Sequence, residues 1–294
     1  MLIKSHREKT RCWGRIQAYN LNAPKWMEDL GLDGMIDLLR NQADKYKDMP
    51  KHLLHEALRR GELAGSNINL AYSTPIDFIV PADGGPNKVV NIFYQDLFAR
   101  FQKTPTADQN LFIEYLALGT NYVDAAASGD TQLASEEARF VISDYYNNSA
   151  GQFTASVFLS SAIGNLTPDS IDGATSPSTS QFTLTTPAAL GVGDLFEIEL
   201  PSGFEDCVVV SNVAGLITLS ALDTVDNLLP ETPVVGAEVT PMYGEGGLFM
   251  GTLATTTANT GNLLNRKLFR FKKSSAVLAG ALLDAQLNFL SVGS

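Results

Sequence analysis

The chain has 294 residues, 45% of them hydrophobic, and carries a formal net charge of −11 at pH 7. That apolar fraction excludes overall disorder, and no apolar run reaches the roughly 18 residues that a membrane span needs. The start of the chain, with Lys4, Arg7, Lys9, Arg11 and Arg15, lacks the apolar stretch of a signal peptide, so a protein made and held in a cytoplasm until assembly is expected.

The charge is unevenly placed. Residues 1–60 hold 12 Lys/Arg against 8 Asp/Glu, and residues 61–294 hold 9 against 24. Between 101 and 265 only Lys103 and Arg139 are basic. Such a body repels nucleic acid and anionic membrane, so neither is expected as a partner. The positive first segment and the cluster Arg266, Lys267, Arg270, Lys272 and Lys273 stand out as candidates for docking on an acidic neighbour, with an exposed strand face as the plainer reading. Two cysteines, Cys12 and Cys207, show no metal or redox spacing. Cys207 precedes Val208, Val209 and Val210 in a strand-like run and reads as a buried thiol.

Residues 21–63 read as a helical arm. Asn22-Ala23-Pro24 is a helix start, and Met35, Ile36, Leu39, Ala43 and Tyr46 recur at helical spacing. Met49-Pro50 breaks the pattern, and a second helix from Lys51 to Arg60 ends at Gly61. The stripe packs either on its own domain or on a partner subunit. Residues 64–90 form a connector with a strand-like piece at 76–80 and a turn at 81–86. Asn91 to Gln102 reads as a helix.

Residues 111–142 organise the rest. The segment opens as a strand, stops at Gly119-Thr120, and passes through a small-residue loop to Asp130, placed as an N-cap. A helical turn is expected next, with Glu136 and Arg139 paired at a spacing of three. A hairpin follows, with Phe140 to Tyr146 going up and Gln152 to Leu159 returning. From Thr167 to Ser180 the composition turns to Ser, Thr, Pro, Asp and Gly, marking a boundary. Beyond it, short strands are expected at 181–186, 195–200, 207–211, 216–220 and 237–240, together a small barrel or sandwich.

The strand ending in Leu-Gly-Thr, the variable loop, and then Asp130, Thr131, Leu133, Glu136 and Arg139 in the order Asp-Thr-x-Leu-x-x-Glu-x-x-Arg resemble a module of tailed-bacteriophage virion proteins. Asn121-Tyr122 stands where that module has a second Gly-Thr. Glu245, Gly247, Leu248 and Phe249, then Leu264, Arg266, Phe269, Phe271 and Lys273, match its later elements. The resemblance covers about 91–163 and 245–292. With the helical segment and the short strands read above, it gives a mainly β, α+β chain in three parts: a helical N-terminal arm and linker (1–90), a central β-rich module (91–165 plus 244–294), and an inserted small β-barrel or sandwich (166–243). It further implies a virion protein of tail-fibre, collar or baseplate type. Its partners would be other virion proteins and copies of itself, as a trimer or a ring.

His52, His55 and Glu56 have neither zinc-protease order nor a third ligand, and read as surface groups. Glu197 and Glu199 share a strand face, and Glu205-Asp206 and Glu136-Glu137 are adjacent. A glycosidase pair needs carboxylates about 5–10 Å apart across a sugar-holding cleft, and no tryptophan lies near them. No nucleophile elbow or phosphate loop is present. The expectation is a non-enzymatic structural subunit without metal or cofactor. The alternative is a host-surface receptor-binding module that contacts glycan or protein through the inserted domain.

Overall fold

The computed structural model describes residues 9–73, 88–89, 113–123, 130–149, 152–250, 254–274 and 279–292. The expected helix at 91–102, the strand at 76–80, the turn at 81–86 and the loop at 124–129 lie outside them. In chain order the strands and helices begin with β1 (Lys9–Asn22), α1 (Lys25–Glu28), α2 (Gly31–Gln42), α3 (Asp44–Lys47) and α4 (Lys51–Arg59). Then come β2 (Asn67–Ser73), β3 (Lys88–Val89), β4 (Ile113–Gly119), β5 (Glu136–Val141), β6 (Asp144–Ser149) and β7 (Gln152–Leu159). The inserted segment holds β8 (Asp169–Asp172), β9 (Gln181–Leu184), β10 (Leu195–Leu200), β11 (Gly203–Val213), β12 (Leu216–Ala221) and β13 (Glu238–Pro241). The chain returns with β14 (Tyr243–Met250), β15 (Asn262–Phe271) and β16 (Gly280–Val292).

The strands form two five-stranded antiparallel sheets and one closed barrel. The first sheet has the order β2-β1-β16-β7-β6, the second β3-β15-β14-β4-β5. Their facing sides share one apolar core, which includes Ile16 and Ala18 from β1, Leu116 and Leu118 from β4, Leu248 and Met250 from β14, Phe269 and Phe271 from β15, and Leu283 and Ala285 from β16. Each pair sits two residues apart, the period that puts side chains on one face of a strand. The body is a β-sandwich.

The outer face of the first sheet is covered by the helices. Met35, Ile36, Leu39 and Tyr46 bury against Tyr19, Leu21, Ile68 and Leu282. The helical stripe therefore packs on its own domain. Gly31 and Gly61, at φ of 67° and 72°, take the left-handed conformation at the first turn of α2 and just after α4. A separate helical arm is not what forms. Residues 9–22 are a strand between β2 and β16, paired from Lys9↔Val292 to Leu21↔Gly280. The reason is alternation: Ile16 and Ala18 face the sandwich core while Tyr19 and Leu21 face the helices. Among the described residues no helix is long and apolar enough to cross a membrane.

The segment after Asp130 also departs from expectation. Glu136–Val141 is a strand paired with β4, not a helical turn. The expected strand from Phe140 to Tyr146 breaks at Ile142-Ser143, where the chain passes from the second sheet to the first. Phe140 belongs to one sheet and Tyr146 to the other.

The inserted domain closes as a six-stranded barrel, β10-β11-β12-β9-β8-β13. Five of its strands fall where alternation predicts. The sixth, β8, lies inside the stretch read as a boundary, because it is four residues long and only Ile171 is buried. Phe182 and Phe196 meet edge-on in the barrel core, with ring centroids 5.9 Å apart, surrounded by Ile198, Val209, Ile217 and Val239. Cys207 lies among them, fully buried, and burial first of all raises its thiol pKa. Replacing Phe196 with Ala should cost about 3–5 kcal/mol through lost burial and the cavity left behind. The expected result is an earlier urea transition in near-ultraviolet circular dichroism.

Candidate functional site

The candidate site is the joint where the barrel meets the sandwich. It is built on Gly119-Thr120. A Cβ at Gly119 would sit 2.3 Å from the Ser135 carbonyl oxygen and 2.7 Å from Glu245 Oε1, so only glycine lets these groups close in. Thr120 N donates to the Ser135 carbonyl at 3.0 Å, and the Thr120 carbonyl accepts from Leu195 N at 2.8 Å. Its hydroxyl donates to Asp194 Oδ1 at 2.7 Å. Asn121 bridges to Asp194, and Tyr122 N donates to the Gly193 carbonyl at 2.9 Å. Tyr122 packs with Leu195, Val208, Leu222 and Met242 in a small apolar contact between the two bodies.

Four of the five motif residues brace the outer face of the second sheet. Leu133 is buried with Ala117, Phe249 and Leu263. Arg139 binds Glu136 through Nε and Nη2, each at 2.7 Å, and both side chains are essentially inaccessible. The pairing expected from a helical turn thus forms on a strand. The Arg139 guanidinium also lies 3.8 Å from the Phe249 ring centroid and donates to the Thr260 carbonyl. Asp130 receives Arg266 Nη1 at 3.2 Å, and the fully buried Glu245 receives Arg266 Nε at 2.6 Å. Glu245 Oε1 accepts Ser135 N at 2.7 Å. Thr131 is exposed.

The cations expected to dock on a neighbour are used inside the chain. Arg266, Lys267 and Lys273 are 3%, 8% and 2% exposed. Arg270 pairs with Asp206 at 3.2 Å and Asp223 at 2.8 Å on the barrel, and Lys272 pairs with Glu197. The cluster is a tether, not an outward patch. Sequence reasoning missed this because the barrel acids that face β15 are distant in the chain.

A crevice of about 260 Å³ opens beside the joint, lined among others by Thr120, Glu137, Asp169, Thr186 and Asp194. Its carboxylates are mostly engaged by the fold. Asp194 Oδ2 accepts Gly191 N at 2.6 Å, and Asp169 Oδ2 accepts Thr186 N at 2.9 Å. Glu137 is the accessible one; burial, then the Asp194 charge, raises its pKa. The tested pair is divided: Glu197 holds Lys272, while Glu199 Oε2 accepts Glu238 N at 3.2 Å. Among the described residues no three His, Cys, Asp or Glu side chains converge as a metal would require.

His55 is the second correction, since it is fully buried between α4 and the first sheet. Lys51, His55 and Arg59 recur at a spacing of four and face a polar strip of that sheet. Nε2 of His55 lies 2.7 Å from Asp144 Oδ2, and the ring stacks on Tyr146 at 4.3 Å. Lys51 also binds Asp144, while Arg59 binds Asp284 and the Tyr146 hydroxyl. Ser156 Oγ donates to Asp284 Oδ1 at 2.6 Å. The helical pattern i, i+4, i+8 was visible in the sequence, but its polar partners come from β6, β7 and β16.

No protein-family model, curated protein or solved structure matches the chain.

Arg139→Ala should destabilise the chain by about 3–5 kcal/mol, because Glu136 is left charged and buried; equilibrium denaturation reads the loss. Acid should loosen the helical layer. Burial first, then Arg59, lowers the His55 pKa below its ordinary 6.5, so below that value the unfolded chain takes up a proton that the folded chain refuses. Burial acts to raise the Asp144 pKa, but hydrogen bonds from Lys51, His55 and Tyr145 N and the charge interaction with His55 together leave it lowered; its contribution is lost in the same direction at lower pH. Stability should therefore be full above about pH 7 and fall toward about pH 5, and His55→Gln should flatten that part of the urea-midpoint profile. The raised carboxyls of Glu137 and Asp206 act in the opposite sense and are common to both chains, so they cancel in the comparison.

Proposed function

We propose that the chain is a non-enzymatic structural subunit of a tailed-bacteriophage particle, of collar, fibre or baseplate type, that binds other virion proteins and copies of itself. The observation that carries the reading is the Gly119-Thr120 joint with its Asp130-to-Arg139 brace. In the resembled module this motif marks structural proteins. Here Thr120 bonds across the joint to Asp194 on the barrel and Gly119 permits close approach beside it, while Asp130 with Arg266 and Glu136 with Arg139 are paired within the sandwich. Groups tied in this way transmit force between two rigid bodies and leave little for turnover.

With the basic cluster turned inward, contacts with neighbours fall to other surfaces. Trp26 and Leu30, four residues apart on the helical layer, are 57% and 48% exposed. Cryo-electron microscopy of intact particles, with this fold placed in the density, tests the reading. The expected outcome is several symmetry-related copies at the neck, baseplate or fibre. A chain absent from purified particles and monomeric at high concentration would refute it.

The receptor-binding alternative has one observation of its own. Phe204, Val213, Val225 and Val235 on the barrel are all more than half exposed, and apolar surface of that kind is available for binding. The full chain carrying Phe204→Ser and Val225→Asp should then lose adhesion to host cells while remaining folded. Unchanged adhesion, or none in the unaltered chain, would remove this reading.

A further inference from the structure

Lys273 is one of the largest fully buried side chains in the molecule. It follows β15 directly, yet unlike Arg266, Arg270 and Lys272 it makes no ion pair among the described residues. Its Nζ donates to Asn165 Oδ1 at 2.8 Å and to the Ala279 carbonyl at 3.4 Å. An ammonium has three donors and carries a full charge, and two neutral acceptors are poor compensation for removing it from water. Burial pushes the Lys273 pKa down to about 8, opposed by the Glu28 charge. The neutral amine, a nucleophile, is therefore within easy reach at mildly basic pH.

The surroundings hold that amine against one particular group. Leu166 N donates to the Lys273 carbonyl at 2.9 Å, and Leu166 bridges Ser274 in parallel, so the two backbones run side by side. The Asn165 carboxamide is fixed from its other end, where Nδ2 donates to the Ser161 carbonyl at 2.8 Å. Ser161 in turn donates to Glu28 Oε2 from its backbone N at 3.1 Å and from its hydroxyl at 2.8 Å. Glu28 is 5% exposed, and a Cβ at Gly280 would sit 3.0 Å from its Oε1. Glu28 is the charged group acting on Lys273; the Tyr243 hydroxyl, bound to the Gly164 carbonyl at 3.0 Å, is the other titratable group on this loop. Amine and carboxamide thus meet from distant parts of the chain, and the Glu28 carboxylate holds the same loop through Ser161.

We propose that Lys273 and Asn165 join in an intramolecular isopeptide bond that the folded chain forms by itself. After loss of its extra proton, Nζ turns its lone pair from the carboxamide oxygen to the carbon beside it, where a reacting pair needs to approach to about 3–3.5 Å. The Nζ–Cγ bond forms and the Cγ–Nδ2 bond breaks. One proton from Nζ ends on Nδ2, which leaves as ammonia. No oxidant, cofactor or second protein enters the balance. The new bond spans 108 residues and encloses the whole barrel with β14 and β15, so it ties the loop that leads into the barrel to the end of β15.

The test is the intact mass of the purified full-length chain after incubation at about pH 8.5, above the Lys273 pKa. It should be lighter than the sequence mass by one ammonia, and a protease digest should contain a branched peptide joining Lys273 to Asn165. Lys273→Arg and Asn165→Ala should retain the sequence mass. The midpoint of thermal unfolding should fall by roughly 10 °C in Lys273→Arg, as expected for opening a closed loop of this length. A folded unaltered chain that keeps its full sequence mass would overturn the proposal, whatever the variants do. So would loss of ammonia confined to a linear peptide, which marks a cyclic imide at Asn165. Neither result bears on placement in a particle, which is decided by imaging.

Discussion

The structure turns on one buried carboxylate. Glu245 is fully inaccessible and accepts hydrogen bonds from Arg266 Nε and Ser135 N. Taking a carboxylate and a guanidinium out of water costs several kcal/mol per ion, and the neighbours offset that cost except at Arg266 Nη2, which is buried without a hydrogen-bond partner among the described residues. Gly119 supplies space that no other residue would leave, and Asp130 adds a second acceptor for Arg266. The segment 130–135 is thereby pinned across the second sheet. Once it is pinned, Thr120 points at the barrel, and the orientation of the inserted domain follows.

The same economy applies to charge across the body. The acidic excess suggests a surface that repels, with a few cations free to dock. In the fold those cations are drawn inward or across the joint, because the barrel presents Glu197, Asp206 and Asp223 to β15. Partly exposed pairs of this kind contribute only about 0.2–1 kcal/mol each. Their value is orientation, since an apolar contact as small as that around Tyr122 would otherwise let the barrel swivel.

Between α4 and the first sheet a polar layer lies beside the apolar contact of Leu54, Ala57 and Leu58. Lys51, His55 and Arg59 meet Asp144, Tyr146 and Asp284. The only nitrogen of His55 with a partner is Nε2; Nδ1 is buried without one, so a proton placed there finds no acceptor. This layer fixes how the helices register on the sheet, and it is also the part of the fold most open to acid.

Much of this was legible in the residues themselves. The alternation of Phe196, Ile198 and Leu200, and of Ile217, Leu219 and Ala221, requires strands that are buried on one side. The stripe Met35, Ile36, Leu39 requires a helix, and the spacing of Glu136 and Arg139 allows a pair in either geometry. What periodicity cannot carry is which distant segments meet. β8 offers a single inward side chain, β1 shows apolar residues on both faces, and Asp130 looks like a cap until Arg266 stands opposite it. His55 read as a surface group and Lys273 as a docking cation for the same reason. Burial is a property of what covers a residue, and for these two the cover comes from β6 and from the loop holding Asn165, 89 and 108 residues away in sequence. The sequence by itself determined the helical stripe, most barrel strands and the acidic balance, all set by neighbours a few residues apart, but not β1, β5 or β8. Only the tertiary structure decided which charges are inside and which group each one meets.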